Sequence, residues 1–550
     1  MTTSPSAAPA PPWRVLIEHP LFLGVLLLVP LVFLLPPLPI DETRYLAVAW
    51  EMRSTGEFLV PHLNGALYSQ KPPLLFWLIN AGWLVTGVHA WTARAMTLLC
   101  SIASLFLLAR LVERVTQSER AARTSTVILF GMLYFAAFAN AIMFDVLLTT
   151  CALLAVHGIV DLVEDRGSRG IALLGLGIGL GVLSKGPVLL LDIGFAAVLA
   201  PWWNRGVPRG AGRYFGAVIV ALLLGAAIAL AWAIPAAIHG GPEYSHAIFF
   251  SQTFDRIRGV KIGTHAQPIW WYVVWLPVMI LPWPIVLRGR WDAIRKASRE
   301  RGARLALAWV VPTLIVFSLI GGKQAHYLLP LLPGVALLFA VALDASAMSV
   351  RTGIAAAALI VVGVAFAWLP QIAASRPDLA FVADTLPWWG AAVGAIGLAL
   401  LICARRIREP FWPAIATVAV VLLFKLAVIQ AAGSRYDVRS IASQVKAAQD
   451  RGQPIAHLGW HHGVYEFAGR LTEPLPTLTL KELPAWVAEH PDGLVISWYR
   501  RFRFRADPVY TQPFRGAEVS IWNAREALAS GVDPHAVHAR DDSDDSNDDD

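Results

Sequence analysis

The sequence predicts an all-α polytopic membrane protein with a small C-terminal α/β domain. Three observations predict it. The 550-residue chain is 56% hydrophobic and only 15% charged, where soluble domains carry about 25% charged residues. Its mean hydropathy is +0.57. Arginines gather in alternate loops between apolar runs, the pattern of a chain threaded repeatedly through a bilayer.

The elements follow in order. Met1 to Pro12 lacks a basic segment and a cleavage site, so the run at 17–37 reads as an uncleaved first span. Further spans are expected at 93–112, 124–141, 144–163, 171–185, 188–203, 213–237, 269–287, 304–320, 326–345, 352–371, 387–403 and 411–430, about thirteen in all. A crossing helix needs about 20 apolar residues. Leu74 to Val88 is shorter, follows Pro72-Pro73 and contains Asn80, so it reads as an interfacial helix in the first outer loop.

Charge orients the chain. With the N-terminus inside, the inner loops hold Arg114, Arg120 and Arg123, then Arg166 and Arg169, then Arg205, Arg209 and Arg213. Arg288 to Arg304, Arg351, and Arg405 to Arg408 continue the pattern. Counting 74–88 as a span would reverse every later loop. Ser184-Lys185-Gly186-Pro187 then becomes the outer turn of a hairpin.

Residues 1–430 read as the membrane domain, 431–532 as an outer α/β domain, and 533–550 as an acidic tail. In the second part, Ile441 to Ala448 has helical amphipathicity, while Pro454–Leu458, Gly493–Ser497 and Glu518–Trp522 read as strands. The last ten residues hold seven aspartates, so the rest of the chain carries +14 against +7 overall. That excess base suits membrane topology, and no nucleic-acid partner is expected. Cys100, Cys151 and Cys403 lie in apolar runs and imply no disulfide framework.

This topology collects the polar motifs on the outer face. Asp41 and Glu42 follow Pro36-Pro37-Leu38-Pro39, which stops the first span and holds two carboxylates at the bilayer edge. Ionisable groups there are costly and mark a functional site. A carboxylate at that place acts as a general base toward a hydroxyl or stabilises positive charge developing on a sugar. Asp145 is a lone acid opening a span, a second base or a helix cap. Lys71, Arg256 and Lys323 supply outer cations of the kind a lipid phosphate needs. Lys185 reads chiefly as a turn residue, Asp192 as the partner of a neighbouring helix, and His461-His462 as surface or structural. No HExxH, CxxC, P-loop or GxGxxG signature is present, so neither metal nor nucleotide cofactor is expected.

Several of these motifs together resemble a known family. They are Asp41-Glu42-x-Arg44-Tyr45, Val60-Pro61-His62-Leu63-Asn64-Gly65, Tyr68-x-x-Lys71-Pro72-Pro73 and Met143-Phe144-Asp145, with Ser184-Lys185-Gly186-Pro187 and Lys323-x-x-His326-Tyr327 as weaker matches. Their order is similar to that of ArnT-like bacterial glycosyltransferases of the GT-C superfamily, relatives of protein O-mannosyltransferases. The resemblance implies a GT-C fold in a bacterial inner membrane, with the active site facing the periplasm. It implies transfer of a sugar, 4-amino-4-deoxy-L-arabinose in that family, from a polyprenyl-phosphate donor to lipid A or another envelope glycolipid, without a cofactor. Asp41 and Asp145 would be the catalytic carboxylates. Glu42, Arg44, Tyr45, Tyr68, Lys71, Arg256, Lys323, His326 and Tyr327 would bind substrate.

Two departures stand out. Gln70 replaces the family's Glu, and Gln252-Thr253 falls where Glu-His is common. Both remove acidic or metal-capable groups, so no metal contact is carried over and the donor sugar stays open. A hydroxyl-directed transferase acting on protein or surface glycan is the alternative within the fold. A lipid flippase or transporter is the alternative from another class, although transporters more often place their sites midplane between repeated halves, and no internal repeat is evident.

Overall fold

The computed structural model describes residues 20–207, 210–250, 267–287, 291–345, 350–374, 383–406, 409–498, 503–515 and 517–532. The first helix, α1 (Pro20–Leu34), ends before the proline-rich run, and α2 (Asp41–Thr55) starts at the paired acids. Asp41 and Glu42 occupy the first turn of α2, where the helix dipole favours negative charge. A two-residue hairpin follows, β1 (His62–Leu63) against β2 (Ala66–Leu67). Asn64 and Gly65 turn it with φ of 55° and 77°, the positive angles such a turn requires.

Next come α3 (Leu74–Thr86), α4 (Ala90–Thr116), α5 (Glu119–Phe130), α6 (Leu133–Phe138), α7 (Phe144–Val163), α8 (Gly167–Lys185) and α9 (Val188–Val198). The central helix α7 is buried almost throughout and packs on α8. Small residues let these two backbones approach closely. A Cβ on Gly158 would lie 2.3 Å from the Leu174 nitrogen, and one on Gly177 would lie 2.6 Å from the Ala155 nitrogen. Then follow α10 (Ala211–His246), kinked at Gly241, α11 (Arg301–Leu319), α12 (Leu332–Ala345), α13 (Thr352–Ala367), α14 (Trp388–Cys403) and α15 (Phe411–Tyr436).

The protein is a multi-pass membrane protein. Among the described residues, seven helical stretches are long and apolar enough to cross a bilayer, and five shorter apolar helices accompany them. The expected count of thirteen crossings is not reproduced by that measure. Several of the expected spans are divided, two of them with a clear cause. The run at 124–141 divides into α5 and α6 because Gly131 lies hard against α15, where a Cβ would come within 2.6 Å of the Ala414 Cα. The freed Leu133 N–H donates to the Leu281 carbonyl. The run at 269–287 divides into helices Trp271–Met279 and Trp283–Val286, with Pro282 between them.

The C-terminal part holds α16 (Arg439–Asp450) and a five-stranded mixed sheet. Its strands are β3 (Ile455–Leu458), β4 (Thr477–Leu478), β5 (Leu494–Trp498), β6 (Tyr510–Phe514) and β7 (Ala517–Asn523), in the order β4-β3-β5-β7-β6. The three expected strands are present. The two unforeseen ones lie at the edges, where short strands and Pro513 are tolerated. The sheet region docks on the first loop. Asn64 both donates to the Leu475 carbonyl at 2.8 Å and accepts its N–H at 2.6 Å, and Trp50 Nε1 donates to the Leu471 carbonyl at 2.7 Å.

At the inner ends of α4, α7 and α8, the fully buried Asp161 gathers Arg114 and Arg169, while Glu164 gathers Arg114 and Arg301. At the opposite end, one buried pair joins the elements. Arg94 of α4 binds Glu42 of α2 and also donates to the Pro36 carbonyl at 2.8 Å. Glu42 further accepts the Leu38 N–H at 2.8 Å and the Ile142 N–H at 3.0 Å. Removing one member of a buried pair typically costs about 3–5 kcal/mol. Arg94→Met should therefore lower the thermal unfolding midpoint in detergent sharply. The double variant Glu42→Gln/Arg94→Met should recover part of the loss, since Gln removes the unpaired buried charge while its one amide oxygen still accepts from Leu38 or Ile142. Equal midpoints for Arg94→Met and the parent would remove the pair from this role.

Candidate active site

Three features converge: the start of α2, the end of α8 beside the start of α7, and the short 3-10 helix Ala325–Leu331. Asp41 accepts a hydrogen bond from Arg44 Nη2 at 2.7 Å. Its side chain is 41% exposed, whereas that of Arg44 is 3% exposed. The Nε and Nη1 of Arg44 have no hydrogen-bond partner among the described residues. A buried guanidinium with unsatisfied donors is costly, and it holds a positive charge directly against Asp41. Burial alone would raise the Asp41 pKa, but Arg44, Lys71 and His326 outweigh it and hold the carboxyl below its ordinary value.

Around this pair stands an aromatic wall. Tyr45 meets Phe144 edge-on at 5.0 Å, and Tyr68 meets Phe76 edge-on at 6.1 Å. The Arg44 guanidinium lies 5.7 Å from the Tyr45 ring centre. The hairpin and Pro72-Pro73 bring Tyr68 and Lys71 here, and Glu51 of α2 secures the hairpin by accepting the Gly65 N–H at 2.9 Å.

The second carboxylate is engaged differently. Asp145 is buried and accepts from Lys185 Nζ at 2.6 Å. His326 Nε2 lies 3.8 Å from its other oxygen. Lys185 sits 4.1 Å from the centre of the Tyr327 ring. So Asp145, Lys185, His326 and Tyr327 form one cluster beside Asp41. Lys185, read from sequence chiefly as a turn residue, is central to it. The Gly186 turn that follows, at φ 78°, places it there.

Other expected residues stand elsewhere. Both oxygens of Glu42 are spent on Arg94 and backbone N–H groups. Lys323 is buried and donates to the Gln267 carbonyl at 2.7 Å, tying two outer loops together. Arg256 lies outside the described residues. Asp192 is buried as expected, yet neither oxygen has a hydrogen-bond partner among the described residues. His461 and His462 are buried, so the surface alternative for them fails. No cluster of three or more metal-ligating side chains occurs among the described residues.

A cavity of about 920 Å³ opens beside Asp41 and His326. Its walls are almost wholly apolar, built from the proline-rich segment after α1 and from α6, α13 and α15, with Val362, Phe366, Val421 and Phe424 among them. One cation that the sequence reading did not single out reaches it. Lys425, in the middle of α15, donates to the Ala137 carbonyl at 2.6 Å and to Asn140 Oδ1 at 2.8 Å. A lone lysine inside an apolar span was the available signal. The arrangement can hold a long hydrocarbon in the cavity, with the Asp41 carboxylate and the basic side chains Arg94, His326 and Lys425 on its lining.

The depressed pKa of Asp41 has a measurable consequence. A carboxyl whose pKa lies below 3.8 stays ionised as pH falls from 8 to 5. No acid limb arising from Asp41 should appear in that interval of a pH–rate profile. Arg44→Gln removes the strongest attraction and should move such a limb upward, toward neutrality. An Asp41-dependent limb above pH 5 in the parent would contradict this environment.

Comparison with known proteins gives three findings. Residues 70–238 match the family model described as dolichyl-phosphate-mannose-protein mannosyltransferase. An undecaprenyl phosphate-α-4-amino-4-deoxy-L-arabinose arabinosyl transferase of Sodalis glossinidius is 30% identical over 305 residues, 54% of this chain and 54% of that one. One from Edwardsiella ictaluri is 31% identical over 310 residues, again 54% of each. The chain thus spans about half the length of these curated relatives. The crystal structure of ArnT from Cupriavidus metallidurans bound to undecaprenyl phosphate superposes with a TM-score of 0.72 at 17% identity, covering 97% of this chain and 100% of that one.

Proposed function

The chain resembles the ArnT-like transferases in sequence over half its length and has the ArnT fold over nearly all of it, and from this premise we propose that it is a membrane glycosyltransferase. It moves a sugar from a polyprenyl-phosphate donor to a cell-envelope glycolipid such as lipid A. The observation that carries the reading is a 920 Å³ apolar cavity with Asp41, His326 and Lys425 on its lining, Asp41 being joined to the buried Arg44. That pairing of greasy channel, basic side chains and carboxylate is what a lipid-linked sugar phosphate requires. The alternating arginines support a bacterial inner-membrane protein with this site on the periplasmic side.

The chemistry is a displacement at the anomeric carbon. The bond from that carbon to the polyprenyl-phosphate oxygen breaks, and its electron pair leaves with the phosphate. A new bond forms to an acceptor oxygen. Arg44 and Lys71 stabilise the phosphate as it gains charge. Asp41 faces the sugar and stabilises positive charge on its ring. An acceptor phosphate is already anionic at neutral pH and needs no base. Lys185 pairs with Asp145 in its buried place, and His326 and Tyr327 border the space for the transferred group.

The family-model description favours one second reading, transfer to a hydroxyl of a protein. Asp41 then takes the hydroxyl proton. The two readings separate by product: labelled sugar from a synthetic polyprenyl-phosphate donor enters lipid A in one and protein in the other. Donor that is neither consumed nor released as polyprenyl phosphate would sink both and leave a transporter.

Asp41→Asn should lower turnover about 10²–10⁴-fold with donor binding nearly intact. Lys71→Ala should weaken donor binding instead, by the roughly 1.5–3 kcal/mol of a charge-assisted contact, about one to two orders of magnitude. Turnover within a few-fold of the parent for Asp41→Asn would pass the leading role to Asp145.

A further inference from the structure

A second cavity, of about 660 Å³, lies on the other side of α1 from the active site. Its lower wall is hydrocarbon. Phe33 and Leu34 are 61% and 56% exposed on α1, and Ile429 faces them from α15. Its middle is aromatic. His89 stacks on Trp91 at 5.7 Å, and Trp91 meets Phe33 at 5.4 Å. Such clusters sit at the headgroup level of a bilayer. Its roof comes from the C-terminal part, with Phe467 and Arg470.

Charge on the upper wall is unbalanced. Arg439 is matched by Asp437, which accepts from it at 2.9 Å. Arg470 is half-buried, donates to the carbonyls of Val88, at 2.8 Å, and of Phe467, and lies 4.0 Å from the Phe467 ring centre and 5.4 Å from that of Trp50. No carboxylate among the described residues pairs with it. It lines a space whose floor suits acyl chains. An uncompensated cation above an aromatic belt and an apolar floor is complementary to one class of molecule, a lipid with an anionic phosphate head.

We propose that this cavity is a binding site for an anionic glycerophospholipid of the surrounding membrane, separate from the sugar donor. The phosphate sits against Arg470, the glycerol region lies at His89 and Trp91, and the chains run down Phe33 and Leu34. The lipid thereby bridges α1 and the C-terminal sheet region. Leu35, Pro36 and Tyr436 line both cavities, so an occupant here braces the wall of the substrate channel. The site is defined without reference to glycosyl transfer, and its test reads binding alone.

The full-length protein in nanodiscs of phosphatidylglycerol or of phosphatidylcholine is the measurement. Lipid retained after extraction into detergent is counted by native mass spectrometry, and the unfolding midpoint is read in each disc. The expected result is one phosphatidylglycerol retained at least tenfold over phosphatidylcholine, with a higher midpoint in the anionic disc. Arg470→Gln should abolish the preference. Asp437→Asn removes the local negative charge and should strengthen retention, a change of opposite sign that misfolding does not produce. Equal retention of the two lipids, or a preference unaltered in both variants, would overturn the proposal. Displacement of the retained lipid by purified lipid A at equal concentration would overturn it too, making the cavity an acceptor site.

Discussion

The fold at the outer face depends on one buried ion pair, Glu42 with Arg94. A carboxylate and a guanidinium withdrawn from water pay a large desolvation penalty unless every lone pair and proton finds a partner. Here the partners are backbone groups from separate segments. Glu42 accepts from Leu38 and Ile142, and Arg94 donates to Pro36. The pair therefore fixes the end of α1, the start of α2, the start of α4 and the approach to α7. Asp41 is the neighbour of Glu42 in sequence, so its position is set by a residue that has no open valence for a ligand. Positioning and chemistry are divided between adjacent acids.

The same division appears in the cations. Lys323 is committed to a loop carbonyl, while Arg44 keeps two nitrogens open. Both are basic and both were expected to bind substrate, Arg44 beside two acids in the chain and Lys323 in a stretch without any. What separates them is burial together with the count of donors satisfied. At the opposite end of the bundle the pattern is different again: Asp161 and Glu164 are surrounded by arginines from three helices, which close that end.

Much of this was legible in the chain because it is local. Asp41 and Arg44 are three apart on one helix and must be neighbours. Asn64-Gly65 announces its turn, and the amphipathic run after 438 announces α16. The long-range pairs were not legible. Lys185 meets Asp145 across 40 residues, Arg94 meets Glu42 across 52, and Lys425 meets Asn140 across 285. An isolated charge in an apolar run signals that a partner exists, without saying which. Helix breaks were hidden for a related reason: Gly131 ends α5 through contact with Ala414, and no residue near Gly131 carries that information.

The docking of Leu475 on Asn64 sets an order of events in time. The two reciprocal hydrogen bonds join positions 411 residues apart. The hairpin that presents Tyr68 and Lys71 is made early in synthesis, yet its lid is made almost last. At ribosomal rates of about 5–20 residues per second, roughly 20–80 s separate the two. During that interval the Asn64 amide lacks the backbone groups of Leu475 that pair with it in the finished fold. Completion of the frame around the hairpin thus waits on the final hundred residues, and a chain that stalls before them leaves its first loop unclosed.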